Sequence, residues 1–499
     1  MTAVVTAAQQ NARARSAIAG RAQALALAAV GWGALAFGGA YPWAYWPLSM
    51  MMFVAGGLGI ATRAGTVTLS DRRLFAAFAL PGAAIAIQLI PLPLAWLRVV
   101  SPNVAGILER VDFAYGAGLT RFHSLSIDWS ATLVSLVLFA ALIVLMMGLA
   151  RTMALRPPRP LVEVLTVVGV SLALIGIVQK PLYAGRLLGF WMPEATGSPF
   201  GPFVNKNHFA GWMLMALPLS LGLLWGGLER AMREVRCGWR HKVLWLSSAE
   251  ANRLILLATG ALIMSLSLVL TMSRSGISAL ALSIVLMGIV IARGLNGRSR
   301  QAVGAVYLVV LLGAAIAWVG VDVLATRFAN TNWNEFNDRR GAWLDALGVV
   351  RAFPLTGTGL NTYATVARFY QRHDLSSFYG EAHNDYLQVL AEGGALIAIP
   401  SMICAIALGW EILRRMRHDL PGSSWWLGRA AVTAIVAIGL QESGEFSLQM
   451  PGNAALFAVV CALAIHPPRE TVSDERPGGR SVERPRLRVV ASNVFAGSR

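Results

Sequence analysis

His383, Asn384 and Asp385 open a mostly apolar helical run within residues 378–400, FYGEAHNDYLQVLAEGGALIAIP. Glu381 precedes them, and Glu392 falls about two turns inside, roughly 12 Å along the axis. A helix N-terminus disfavours an imidazolium ahead of it and so favours the neutral ring. Neutral imidazole is the form a general base needs. On spacing alone a second reading stays open, in which His383 is a cap residue that hydrogen-bonds the first turn. Asn384 has a capping side chain as well, and Glu392, costly in lipid, is expected to face the helix bundle.

The other expensive side chains gather on the same side of the chain's apolar runs. Asn205, Asn207 and His208 lie in GPFVNKNHFAG, and His208 is the rival base. Arg274 sits in TMSRSGISAL, a turn too short to leave the membrane surface. The segment before His383 supplies Arg327, Arg339, Arg340, Arg351, Arg368 and Arg372, and no lysine. Guanidinium is the group for phosphate, because its planar fork bonds two oxygens and its charge does not titrate. Arg274 with Arg339 or Arg340 above it would bracket a diphosphate at headgroup level. Glu442 and Glu445, three apart, are read as sharing a helical face, as a carboxylate base or a metal pair. No His-Glu-x-x-His, Asp-x-Asp or GxxxxGK[ST] pattern occurs, so neither a metal nor a cofactor is expected.

The elements that hold these residues are membrane helices. Of 499 residues 56% are hydrophobic and 13% charged, too apolar for one soluble domain. The apolar residues fall in blocks of about 17–25, long enough to span a bilayer. Twelve spans are expected: 22–39, 43–61, 74–92, 130–150, 160–179, 208–228, 254–271, 276–292, 301–320, 385–410, 428–443 and 452–466. The organisation reads as an N-terminal cytoplasmic tail 1–21, helices one to nine over 22–320 and a large helical loop 321–384. Helices ten to twelve follow over 385–466, then a disordered cytoplasmic tail 467–499. With both termini inside, the inner segments hold 29 of the 42 basic residues although the outer side owns both long loops. The net charge of +17 is therefore membrane topology, and nucleic acid is not expected as a partner. Three scattered cysteines, Cys237, Cys404 and Cys461, make no disulfide framework. In the large loop, NDRRGAWLDALGVVRAFP is expected to form an amphipathic helix with Asp338 as N-cap and Trp343, Leu344, Leu347 and Val350 as its apolar stripe. Arginines beside that stripe suit the membrane surface.

Together FVNKNHFAG, SRSG, RRGAWLDALGVVRAFPLTGTGL and HNDYLQVLAEGG make the chain resemble the O-antigen ligase and polymerase family of bacterial membrane glycosyltransferases. The early stretches FGGAYPWAYWPL and LIPLPL are similar to its exopolysaccharide-polymerase branch. Arg186 and Gly197 have one branch's Arg-x10-Gly spacing, but no arginine of the large loop does. The resemblance implies an all-α, GT-C-like integral membrane fold with the large periplasmic loop between helices nine and ten. It implies a glycan donor on undecaprenyl diphosphate, used at the periplasmic face of the inner membrane without metal or cofactor. The acceptor would be lipid A core or a second lipid-linked repeat, with a chain-length regulator as a further partner. By motif, His383 is the catalytic base and Arg274 with Arg340 or Arg339 holds the diphosphate. Asn205, Asn207, His208, Asn384, Glu392 and Glu442 support the site or bind acceptor. A transporter or flippase of lipid-linked sugar is the alternative.

Overall fold

A computed structural model describes residues 2–63, 69–194, 197–234, 244–295, 297–320, 326, 333–373, 375, 378–418 and 422–466. The expected tail 467–499, the early large loop with Arg327, and the basic residues Arg236, Arg240 and Lys242 lie outside these. Each of the twelve apolar stretches is a helix: Thr2–Leu35, Pro42–Ala61, Leu69–Gln88, Trp129–Thr152, Arg159–Leu182, Lys206–Glu234, Ala249–Leu270, Arg274–Gly294, Arg298–Val319, Asp385–His418, Ser423–Gln441 and Pro451–Ile465. Among the described residues nine helices are long and apolar enough to cross a membrane. The other three are Leu69–Gln88, which carries Asp71, Arg72 and Arg73 near its start, Ser423–Gln441, and the 15-residue Pro451–Ile465. At about 22 Å that last helix falls short of a hydrocarbon core of about 30 Å. The chain is an all-α, multi-pass membrane protein. Its one β ribbon among the described residues pairs Pro91–Pro93 with Phe122–Ser124.

The bundle is built around Lys206–Glu234, buried along its most apolar window and carrying Phe209, Trp212 and Trp225 into the core. Elsewhere helices meet backbone to backbone. A Cβ on Gly56 would lie 2.2 Å from the Val144 carbonyl oxygen, and one on Gly148 would lie 2.0 Å from that of Gly56. Only glycine allows such an approach, which substitutes dispersion contacts for the hydrophobic drive that lipid removes.

The two long connections form one cap. Leu97, Val104, Ile107, Leu108, Leu125 and Ile127 of the first pack with Ala346, Val349, Phe353 and Val366 of the second in a separate apolar cluster. This changes the expected face of the loop helix. The helix runs Trp333–Ala352, so Asp338 lies within it rather than capping it, and its side chain is outside the described residues. Ala342, Asp345, Ala346 and Val349 are buried, whereas Leu344 is 42% exposed. The helix turns its small residues toward the other connection instead of laying a leucine stripe on lipid.

Residues 354–359 are threaded into a helix. Asp385–His418 breaks at Gly394, whose φ of 54° and ψ of −161° are non-helical. There the amides of Ala395 and Leu396 donate to the carbonyls of Pro354 and Leu355, both at 2.9 Å, and the Gly359 amide donates to the Glu392 carbonyl at 2.9 Å. Gln88, fully buried, donates to the carbonyls of Thr356 (2.8 Å) and Glu392 (2.9 Å) and accepts from the Leu360 amide (3.2 Å). Thr132 donates to the Leu360 carbonyl at 2.9 Å, and the Ile127 amide to that of Thr358 at 2.9 Å. Backbone freed by the break is thus satisfied, as a low-dielectric setting requires.

Candidate active site

Asn384 is the N-cap of Asp385–His418: its side-chain oxygen accepts from the Leu387 amide at 3.0 Å. Its amide nitrogen donates to the Ser443 carbonyl at 2.9 Å, and the Asp385 amide donates to the Glu442 carbonyl at 3.1 Å. These bonds bring residues 442–450, the turn between the last two helices, against the helix mouth. The turn presents Glu445, whose side chain is fully buried.

Glu445 is where the separate motifs meet. Arg339 makes an ion pair with one carboxylate oxygen, Oε1. Ser275, the residue after Arg274, donates to the same oxygen at 3.4 Å. The other oxygen, Oε2, lies 3.8 Å from Nδ1 of His383. Burial pushes the Glu445 pKa up, but His383, Arg339 and His208 outweigh it and hold the carboxyl below its usual range. His383 itself is a non-glycine residue at φ +50°, with its carbonyl accepting from the Trp343 indole at 3.2 Å. Phe446 lies edge-to-face between two imidazoles, 5.0 Å from that of His383 and 4.7 Å from that of His208. A base candidate, a guanidinium and the start of the Arg274 helix thus converge on one anion.

Residues 259–400 match the family model described as O-antigen ligase. Over that segment the chain is similar to O-antigen ligases. Domains of this family belong to membrane glycosyltransferase-like ligases and polymerases. A comparison with curated proteins found no match. The matched segment spans Arg274, Arg339, Arg340, His383, Asn384 and Glu392, while Asn205, His208 and the 442–450 turn lie outside it.

The remaining candidates separate. Arg340 is exposed beside the paired Arg339. Asn205 accepts from the Asn207 amide at 2.8 Å and so starts Lys206–Glu234, while the Asn207 carbonyl accepts from Gln441 (2.8 Å) and Ser447 (3.2 Å). His208 is buried, with no hydrogen-bond partner at Nε2. Glu392, read as facing the bundle, turns its carboxylate to the backbone amides of Asn361 and Tyr363, both at 2.9 Å. It fixes the start of the loop helix Tyr363–Tyr370, whose first turn needs acceptors. Glu442 and Glu445 do not share a helical face, because the helix ends at Gln441. Glu442 accepts from the Leu448 amide at 3.4 Å and points to Asp385 rather than His383. Among the described residues no three His, Cys, Asp or Glu side chains gather as a ligand set.

A glutamine chain runs beside the site and was not singled out in the sequence. Gln388 donates to Glu381 at 2.5 Å and to Gln449 at 3.1 Å, and Gln449 donates to Asp385 at 2.6 Å. The signal that could have found it was polar residues inside apolar runs. Burial, against the Gln388 hydrogen bond and with repulsion from Glu392 and Asp385, raises the Glu381 pKa to about 8. An acid with a raised folded pKa binds a proton that the unfolded chain has released, so its contribution is complete below the usual carboxylate range. It is lost as pH rises through about 8. Thermal melting of the detergent-purified chain should fall by about 2 °C or more between pH 6 and pH 9. Glu381→Gln should flatten that slope; an unchanged slope would show that Glu381 is not the group titrating.

Proposed function

We propose that the protein transfers a glycan from undecaprenyl diphosphate to a sugar hydroxyl at the periplasmic face of the inner membrane, joining lipid-linked repeats as a polymerase. The observation that carries this reading is the convergence of His383, Arg339 and the Arg274 helix start on Glu445. In the step, the acceptor oxygen attacks the anomeric carbon as its proton passes to His383. The bond from that carbon to the diphosphate oxygen breaks, and the electron pair leaves with the diphosphate. A sugar hydroxyl is a weak nucleophile until a base takes its proton, which gives the histidine its task. The leaving group gathers negative charge, which fixed guanidinium groups at a low-dielectric surface stabilise. Arg274 and the exposed Arg340 are the groups assigned to that charge, with Arg339 shared between it and Glu445. Polymerisation is favoured over ligation to lipid A core by the resemblance of the two stretches FGGAYPWAYWPL and LIPLPL to the exopolysaccharide branch.

Deletion of the gene in the producing cell tests this. Lipid-linked repeats should accumulate on the outer leaflet of the inner membrane, where an added glycosidase reaches them in spheroplasts. Acceptor carrying one repeat without the longer ladder supports polymerisation; acceptor carrying none means ligation. Repeats trapped on the cytoplasmic leaflet would overturn the transfer reading in favour of a flippase.

A further inference from the structure

Two buried atoms without a hydrogen-bond partner face each other at the site: Nδ1 of His383 and Oε2 of Glu445, 3.8 Å apart. Glu445 is anchored through its other oxygen by Arg339 and Ser275, so its position does not depend on the histidine. We propose that Glu445 is the positioning residue for His383, holding the proton on Nδ1 so that Nε2 keeps the lone pair that accepts the proton of the incoming hydroxyl. This rests on His383 being the base of the proposed transfer.

The separation is too long for a hydrogen bond and short enough to become one on a shift of roughly an ångström. Catalytic contacts are commonly loose without substrate and tighten when it binds. Among the described residues the charged and titratable neighbours of His383 fit the assignment. Arg339 fixes Glu445 as an anion, and an anion facing Nδ1 favours a proton there. His208, across Phe446, is buried and shares the same carboxylate field. Tyr379 touches the imidazole edge-to-face at 6.0 Å. Asp385 is turned toward Glu442 and Gln449. No other acid comes as close to the ring among the contacts of the described residues. As the imidazole takes the proton, it becomes a cation 3.8 Å or less from a fixed anion, and the two orphaned atoms gain the bond each lacks. Arg339, paired with Glu445 and about one third exposed, ties the base to a group proposed to meet the leaving diphosphate. Glu445 lies outside the matched segment. The turn between the last two helices therefore completes a site whose other members come from that segment.

The test is the tautomer of His383, read from side-chain ¹⁵N shifts of the full chain in lipid nanodiscs with ¹⁵N-histidine, the signal assigned by its loss in His383→Asn. The wild type should show the neutral ring protonated on Nδ1. Glu445→Gln should move most of it to Nε2, with Glu445→Asp between. In cells, Glu445→Gln should lower glycan transfer about 30-fold or more, while the purified variant retains undecaprenyl diphosphate as the wild type does. A wild-type ring protonated on Nε2 overturns the proposal whatever the variants do. So does a Glu445→Gln protein with unchanged tautomer, or one whose defect is confined to binding of undecaprenyl diphosphate. If His383→Asn still transfers glycan, His383 is not the base, and the proposal falls with it whatever the tautomer; a wild type that makes no glycosidic bond at all is the separate failure of the transfer reading.

Discussion

Replacing His383 by asparagine is expected to cut glycan transfer by at least about 10²-fold while leaving the folded protein as stable as the wild type or more so. The two halves of this result have separate causes. His383 is held at φ +50°, a left-handed conformation that costs most residues on the order of 1–2 kcal/mol. Asparagine adopts it more readily than most, and glycine does so freely. Backbone strain at a single residue is worth keeping only where the side chain is needed. Asparagine keeps polarity and turn geometry but cannot take a proton at neutral pH, so it removes the base alone. His383→Gly should gain about 1 kcal/mol in melting experiments and be equally inactive. The measurement pairs thermal unfolding in detergent with the glycan ladder of the host cells. An active His383→Asn protein would remove the histidine from the chemistry; a poorly folded one would mean that its ring is mainly a packing element.

The second large effect is expected at the crossing of the 354–359 segment and the broken helix. Gly357 sits at φ +63°, and a Cβ there would lie 2.1 Å from the Glu392 carbonyl oxygen. Gly394 combines φ 54° with ψ −161°, a region essentially restricted to glycine, and its Cβ would meet the Gly357 nitrogen at 2.5 Å. Alanine at either position adds strain of about 1–3 kcal/mol to a clash with backbone that cannot rotate away. Gly357→Ala and Gly394→Ala should each destabilise by at least about 3 kcal/mol and sharply reduce the yield of monodisperse protein. Gly409 lies in the same helix with nothing within 4 Å of where an alanine methyl would sit, which makes it the matched control. Gly409→Ala should be neutral or stabilising by up to about 1 kcal/mol. Equal yields of all three variants would contradict the close crossing.

The helices were legible because long apolar runs, separated by short basic connections, leave little choice of element. Boundaries moved by several residues, as at Leu69–Gln88, where the reading of 74–92 followed hydropathy and missed a charged first turn. The polar residues of the site were legible for a related reason, since each is costly beside lipid and they cluster at a few helix mouths. What the pattern could not give was pairing. Whether Glu442 or Glu445 meets His383 depends on a turn after the helix ends at Gln441, where helical spacing no longer applies. Glu392 was known to need partners, but these proved to be amides some thirty residues earlier, at Asn361 and Tyr363. The buried face of the loop helix depends on the first long connection, which lies more than two hundred residues away in sequence.

The cap is stitched to the bundle along three lines: Gln88 at the end of one helix, Thr132 near the start of another, and the break at Gly394 in a third. A roof fastened on three sides has no hinge, and raising it would strand several carbonyls and amides in a dry setting at once. Whatever reaches the site should therefore come from the side, between helices, with the roof staying in place as a fixed ceiling.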